Sequence, residues 1–361
     1  MDTAMTSTTG TTSTTCPSCG GPIGAADRYC EACGAELSPA ATPATAAIDT
    51  DTEPTVELNP SAARSAEAPP GPCRSCGGVV GDDSYCQTCG TKAAKPRDHF
   101  SEQPAPWVAA VCDRGIRHSR NEDAVAVSAD AEPGSRAQLV VCDGVSSSLD
   151  SDVASLAAAR AAREVLAAGH AQGMGTESSR NSAVVARLKA AADAANDAVL
   201  ANTSPDSPNP ASCTFVAVVL EGDLLVAGVV GDSRAYWFPD NAEPVGLTVD
   251  DSWAAELIAT GVPRQQAETG PQAHAITRWL GKDAPDHTPR TTTVKVDGPG
   301  WLVVCSDGLW NYCSEAAPLA DLVRQTAAAN RGEPLATASA LVDWANAQGG
   351  QDNITVALAR L

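Results

Sequence analysis

Two apolar, β-branched runs stop on aspartate, and that pattern restricts what the chain can become. Gln138-Leu-Val-Val-Cys142 leads straight into Asp143, and Trp301-Leu-Val-Val-Cys305 leads into Ser306-Asp307. Such runs read as buried strands. A carboxylate at the end of a buried strand costs several kcal/mol unless something cationic compensates it. Four more acids stand in signatures of their own: Glu122 and Asp123 in Arg-Asn-Glu-Asp-Ala, Asp232 in Gly-Asp-Ser-Arg, and Asp352 in Gly-Gly-Gln-Asp-Asn-Ile-Thr-Val. Lys and Arg are not supplied in equal number beside them. Their convergence therefore points to hard divalent cations, which take oxygen ligands. Any one of these acids alone would read as a cap or turn residue.

The rest of the chain divides on the same kind of reading. Trp107–Cys112, Cys213–Leu220, Leu224–Val230, Ala235–Phe238 and Ile354–Ala359 also read as strands. Asp152–Ala168, Ala183–Ala201, Asp251–Thr260 and Leu335–Ala347 are Ala-rich, with Leu and Val at three- and four-residue spacing, and read as helices. Leu220-Glu-Gly-Asp-Leu224 looks like a hairpin turn. Hairpins among well-separated helices predict an α+β fold with antiparallel sheets rather than a doubly wound one.

At 361 residues, the chain is longer than one typical domain, so a large domain with extra modules is expected. Hydrophobic content of 43% supports a real core, which aromatics at 4% leave to Ala, Val and Leu. A net charge of −20 and a pI near 4.5 argue against nucleic-acid or anionic-membrane partners. The N-terminus shows no basic-then-apolar leader, and no apolar stretch approaches the roughly 18 residues of a membrane span, so a cytoplasmic protein is expected.

Eight of the 13 cysteines form four Cys-x-x-Cys pairs. Cys16, Cys19, Cys30 and Cys33 make one set, and Cys73, Cys76, Cys86 and Cys89 a second. Gly20, Gly34, Gly77 and Gly90 follow the second Cys of each pair, and Tyr29 and Tyr85 precede the third Cys of each set. Glycine permits the tight turn that aims both thiolates at one ion. The two sets read as zinc ribbons over 16–34 and 73–90, one Zn2+ each, with the metal supplying most of the folding free energy. Thiolates alone do not separate zinc from iron, and zinc is favoured. A thioredoxin-like role lacks its βαβ context. Residues 1–15 read as disordered, and 35–72 and 91–104 as linkers. The ribbons carry few Lys or Arg, so their expected partner is another protein. Cys112, Cys142, Cys213, Cys305 and Cys313 read as core.

Taken in order, Arg-Asn-Glu-Asp, Asp-Gly, Gly-Asp-Ser-Arg-Ala-Tyr, Leu-Thr-x-Asp, Ile-Thr-Arg-x-Leu-Gly, Ser-Asp-Gly-Leu and Gly-x-x-Asp-Asn-Ile-Thr form a specific series. Over 105–361 the chain resembles the PPM family, the metal-dependent serine/threonine protein phosphatases of 2C type. The resemblance implies a four-layer α/β/β/α sandwich of two antiparallel sheets, with a metal cleft at one end. It implies one Mn2+ or Mg2+ held by Asp143, Asp307 and Asp352. A second is held by Glu122, Asp143 and the carbonyl of Gly144, with Asp143 bridging. Asp123 would orient a metal-bound water, and Asp232, with Asp250, matches positions that take a third metal in bacterial members. The implied substrates are phosphoproteins made by serine/threonine kinases.

The chain departs from the family pattern in three places. His118 stands where the phosphate-binding Arg is usual, with Arg117 before it and Arg120 after it, so Arg117 and His118 are both candidates for the phosphate contact. Val145-Ser146-Ser147-Ser148 replaces a Gly-rich stretch and lacks the histidine that some relatives use as a proton donor. The flap between Trp253 and Ile276 is altered. Two readings follow: an active phosphatase, or a pseudophosphatase and adaptor that binds phosphoprotein with little turnover. Arg234 reads as a loop anchor, His274 and His287 as surface, and Trp310 and Trp344 as core.

Overall fold

The computed structural model describes residues 72–73, 76–169, 175–270 and 272–361, together with two short paired strands, Thr14–Thr15 and Pro22–Ile23. The chain divides into two units, Met1–Glu67 and Ala68–Leu361. The first ribbon, with Cys16, Cys19, Cys30 and Cys33, lies outside the described residues, as do nearly all of the expected 1–15 and 35–72 segments.

Two antiparallel sheets build the second unit. One runs in the order Val245–Gly246, Arg234–Pro239, Gly300–Cys305, Ile354–Arg360, Val108–Asp113, His99–Ala105. The other runs Arg290–Lys295, Leu224–Val230, Phe215–Glu221, Arg136–Asp143, Asp123–Ala129. Side chains alternate across each strand, and here both faces are covered, which explains the unbroken apolar runs. Val125, Leu139 and Val141 of one sheet meet Cys112, Leu302 and Val304 of the other in a shared core. The intervening Ala124, Ala126 and Val140 turn outward to the helices Ser151–Ala167 and Glu177–Ala201. Val111, Val303 and Cys305 turn the opposite way, to Ala316–Ala329 and Pro334–Gln348. The result is four layers: helices, sheet, sheet, helices. Gly228 lets the long helix close on its sheet, since a Cβ there would lie within 2.1 Å of Leu188.

The expected strands and helices are present, most within two residues of their expected bounds; the helix expected from Ala183 starts at Glu177, and Cys213 of the expected Cys213–Leu220 strand pairs separately, in Ser212–Cys213 with Leu280–Gly281. The linker expected over 91–104 is corrected: His99–Ala105 pairs with Val108–Asp113 as the edge of the sheet. A proline at 104 and a register shift between Glu102 and Ala105 disguise it, and both are features of edge strands. Among the described residues, no helix is long and apolar enough to cross a membrane.

Candidate active site

Topology gathers the acids. Asp143 ends its strand and Asp123 begins the antiparallel neighbour, so the two are directly opposed across the ladder. Asp307 follows Gly300–Cys305, Asp352 precedes Ile354–Arg360, and Asp232 lies between Leu224–Val230 and Arg234–Pro239. All of these are strand ends or the connections beside them at one end of the sandwich, Asp307 opening the short helix Asp307–Trp310. Like charges facing each other across a ladder are destabilising, and their titration shows the strain. Burial first, then the charges of Asp123, Asp307, Asp352 and Asp232, hold Asp143 well above the usual carboxylate range. Asp307 is raised in the same way, by burial and then by Asp232, Asp352 and Asp123. Burial lifts Asp232 to about 7, with Asp250 adding to it. Burial also lifts Asp123 to about 6, although the hydroxyls of Ser306 and Thr355 pull it back. Asp352 is raised, chiefly by burial.

The supporting residues come from the same short signatures. Ser306 Oγ and Thr355 Oγ1 donate to Asp123 Oδ2 at 2.6 and 2.7 Å. Asn353 Oδ1 accepts the Glu122 amide at 2.7 Å, and its Nδ2 donates to the carbonyls of Arg114 and Arg120. The loop carrying Glu122 is thereby tied to the strand that follows Asp352. Gly144 has no room for a side chain, because a Cβ would meet the Glu122 and Ser151 carbonyl oxygens at 2.8 and 2.9 Å.

Glu122 is buried, and its Oε1 accepts from Arg120 at 2.7 and 3.0 Å and from Ser151 Oγ at 2.6 Å. His118 lies between two of the acids, 3.6 Å from Glu122 Oε2 and 3.2 Å from Asp352 Oδ1. Arg117 is exposed, and its guanidinium has no hydrogen bond or ion pair among the described residues. Arg234 is the anchor that the sequence suggests: it forks onto Asp250 at 2.5 and 2.9 Å and lies 3.5 Å from the centre of the Trp310 ring. Asp250 is thus committed to an ion pair rather than left free for a metal. His287 is corrected from partnerless surface, since Nε2 is 3.2 Å from Asp193. His274 is exposed, as expected, but it lines the cleft: a cavity of about 430 Å3 is bounded by His274, Asp307, Trp310 and Asp352.

The donor set fits hard divalent ions. It is all oxygen, and Asp123 Oδ1 and Asp307 Oδ1 are buried without any hydrogen-bond partner. As a set the carboxylates do not close to within 4.8 Å of one another, and Glu122 faces Arg120 and Ser151 instead. Among the described residues, the one group that does close so far is Cys73, Cys76, Cys86 and Cys89. Their sulfurs come to 3.6 Å (Cys73–Cys89) and 3.5 Å (Cys76–Cys86). A tetrahedron with Zn–S bonds of about 2.3 Å places its sulfurs roughly 3.8 Å apart. Gly77 and Gly90 both adopt φ of +72°, the left-handed turn required of each knuckle.

Residues 115–345 match the family described as protein phosphatase 2C. The chain belongs to that family. The serine/threonine phosphatase Stp of Listeria welshimeri is 31% identical over 151 residues, 42% of this chain and 57% of that one. The match thus spans only 57% of the length of that curated relative. The 2C-type fold extends further than the sequence match. The serine/threonine phosphatase PstP/Ppp of Mycobacterium tuberculosis superposes with a TM-score of 0.56 and 28% identity, covering 70% of this chain and 97% of that one. The catalytic domain of PstP in complex with two manganese ions gives 0.52 and 26%, covering 70% of this chain and 96% of that one.

Proposed function

We propose that the chain is a metal-dependent phosphatase of phosphoserine and phosphothreonine in proteins. The observation that carries this reading is the convergence of Asp143, Asp307 and Asp352 with Glu122 and Asp123 at one end of a 2C-type sandwich. Asp143, Asp307 and Asp352 would hold one Mn2+ or Mg2+. Asp143 with Glu122 and the Gly144 carbonyl would hold a second, and Asp232 would contribute to a third. Bound there, such ions lower the pKa of water and neutralise charge building on the phosphoryl oxygens. Asp123, fixed through Oδ2 by Ser306 and Thr355, keeps Oδ1 free to orient the attacking water and take its proton. Arg117, exposed and without a guanidinium partner among the described residues, would meet the phosphate. The substrates are products of serine/threonine kinases, and the place is the cytoplasm. The direct test is phosphate release from a phosphothreonine peptide by the full chain with and without Mn2+; no metal-dependent release would defeat the reading.

Arg117 and His118 separate by their effects. Arg117→Ala will cost about 10- to 100-fold in kcat/KM for the peptide, the scale of a hydrogen bond to a charged group. His118→Ala will instead raise the Mn2+ concentration needed for half-maximal rate, because His118 touches Glu122 and Asp352. Steady-state kinetics over a metal titration reads both. A second reading, a pseudophosphatase that binds phosphoprotein with little turnover, draws on the hold that Arg120 and Ser151 have on Glu122. It predicts peptide binding without release.

The four thiols at 73–89 support a zinc ribbon, and the repeat in sequence supports a second over 16–34 held by Cys16, Cys19, Cys30 and Cys33. Val79 and Tyr85 are exposed on a module that carries only Arg74 as a basic residue, which suits a protein partner rather than nucleic acid. Metal analysis of the purified chain will find two zinc per chain, and Cys76→Ser with Cys89→Ser will leave one. An unchanged zinc content in that double variant would remove the assignment.

A further inference from the structure

The stretch Val145–Ser148 leaves the site without a histidine beside Gly144, yet an alkoxide is a poor leaving group unless it is protonated. Among the described residues, His99 pairs with Asp113, His118 with Glu122 and Asp352, and His287 with Asp193. His274 alone among these has no hydrogen bond or ion pair. Of the other protic groups around the cleft, Ser314 Oγ donates to Glu268 and Glu268 pairs with Arg264; the Tyr312 and Tyr236 hydroxyls keep their protons, but a phenol is a weaker acid than an imidazolium.

Its position is what distinguishes His274. It lines the 430 Å3 cavity that holds Asp307 and Asp352, and it also lines a neighbouring cavity of about 690 Å3 between the flap and the sandwich. Glu268, Trp310 and Ser314 are shared by the two as well. The phosphate belongs at the acidic end, and a polypeptide needs the larger space. The oxygen joining them must therefore pass the boundary where His274 stands. The backbone on either side of His274 is held by its neighbours. The Trp253 amide donates to the Ala275 carbonyl at 2.9 Å, the Ala254 amide donates to that of Ala273 at 3.3 Å, and Ala273 is buried against Ala254 and Ala267. The ring lies 6.4 Å from that of Trp310, centre to centre. The charged groups that line the cavities with it are Asp307, Asp352 and Glu268 in the smaller, and Glu268, Asp250, Arg264, Arg234 and Glu315 in the larger. Arg234 is neutralised by Asp250 and Arg264 by Glu268.

We propose that His274 is the acid that protonates the departing serine or threonine oxygen, an assignment that rests on the phosphatase reading above. As the phosphorus–oxygen ester bond breaks, its electron pair goes to the side-chain oxygen and the imidazolium gives that oxygen its proton. Of the attacking water, the oxygen and one proton stay on the phosphate. The other proton passes by Asp123 to solvent, balancing the one that His274 recovers.

The test compares leaving groups in the full chain with Mn2+. Nitrophenolate departs without a proton near neutral pH, whereas an alkoxide does not. His274→Gln will lower kcat on a phosphothreonine peptide by about 100-fold or more, the low end for general acid catalysis, and on p-nitrophenyl phosphate by only a few-fold. Equal losses on both substrates, or none on the peptide, would overturn the assignment. If the parent chain releases phosphate from neither substrate, the phosphatase reading itself fails and takes this one with it. A measurement independent of turnover uses Mg2+ and NMR. The imidazole resonance that disappears in His274→Gln will move when inorganic phosphate is added, and a resonance that stays still would also overturn the proposal.

Discussion

Asp143→Asn will reduce metal-dependent turnover by at least about 100- to 1000-fold, the scale of losing one preorganised transition-state donor, and yet it will make the metal-free fold more stable. Asp143 faces Asp123 across the ladder and feels Asp307, Asp352 and Asp232 as well. With ions present, the proposed ligand set would need its charge at both of the first two metals. Without them it is an uncompensated, half-buried carboxylate among others, and an isosteric amide removes the repulsion while retaining the shape.

The sign of the pH dependence follows from the raised pKa values. An unfolded carboxylate titrates near 3.8, whereas Asp123 and Asp232 are lifted to about 6 and about 7, and Asp143 is held well above its ordinary value. A native state with raised pKa values binds more protons than the unfolded chain. Its stability is therefore intact below the unfolded pKa and declines as pH rises through the folded values. In chelator, the advantage of Asp143→Asn over the parent will be small near pH 4 and will grow as pH rises past 6 and 7. Saturating Mn2+ will reverse the order, raising the parent's Tm and leaving the variant's nearly unchanged. Tryptophan fluorescence suits the measurement, because all seven tryptophans lie at or beyond residue 107, outside both cysteine sets. A variant that melts below its parent in chelator at pH 8 would contradict the electrostatic account.

The acids and their strands are legible in the sequence because both faces of each sheet are covered. Leu139 and Val140 are buried on opposite sides, so the run is continuous and its end on Asp143 stands out. Strands that lack that double burial are not legible. Arg290–Lys295 is largely exposed and Thr-rich, with no apolar alternation to find. The helix Ala316–Ala329 carries a proline at 318, in its first turn, where proline is tolerated although it reads as a breaker. The site divides along similar lines. The clustered acids are marked by their own signatures, but Ser306, Asn353 and Thr355 act on Asp123 and Glu122 from 183 to 232 residues away. No local pattern carries that pairing. The grip of Arg120 on Glu122 and the place of His274 at the junction of two cavities likewise depend on how loops fold back.

Gly308→Ala will damage both stability and metal binding, although the glycine supplies no ligand atom itself. An added Cβ would lie 1.9 Å from the Asn353 carbonyl oxygen, 2.8 Å from its carbonyl carbon and 3.2 Å from Ile354 Cα. All three are backbone atoms, so no rotamer change relieves the overlap. The two segments forced apart carry Asp307 on one side and Asp352 on the other, and Asn353 also holds the loop of Glu122. Overpacking costs about 1–3 kcal/mol where side chains can adjust, and a rigid contact belongs at or above the top of that range. At roughly 2–4 °C per kcal/mol for a domain of this size, Tm should fall by about 6 °C or more. Separating the acids should weaken Mn2+ binding by about tenfold or more, read by calorimetric titration. Gly246→Ala is the control: a Cβ there meets nothing within 4 Å, so its change should stay within about 0.5 kcal/mol. If the two variants melt and bind Mn2+ alike, the close approach of Gly308 to Asn353 does not hold the two halves of the site together.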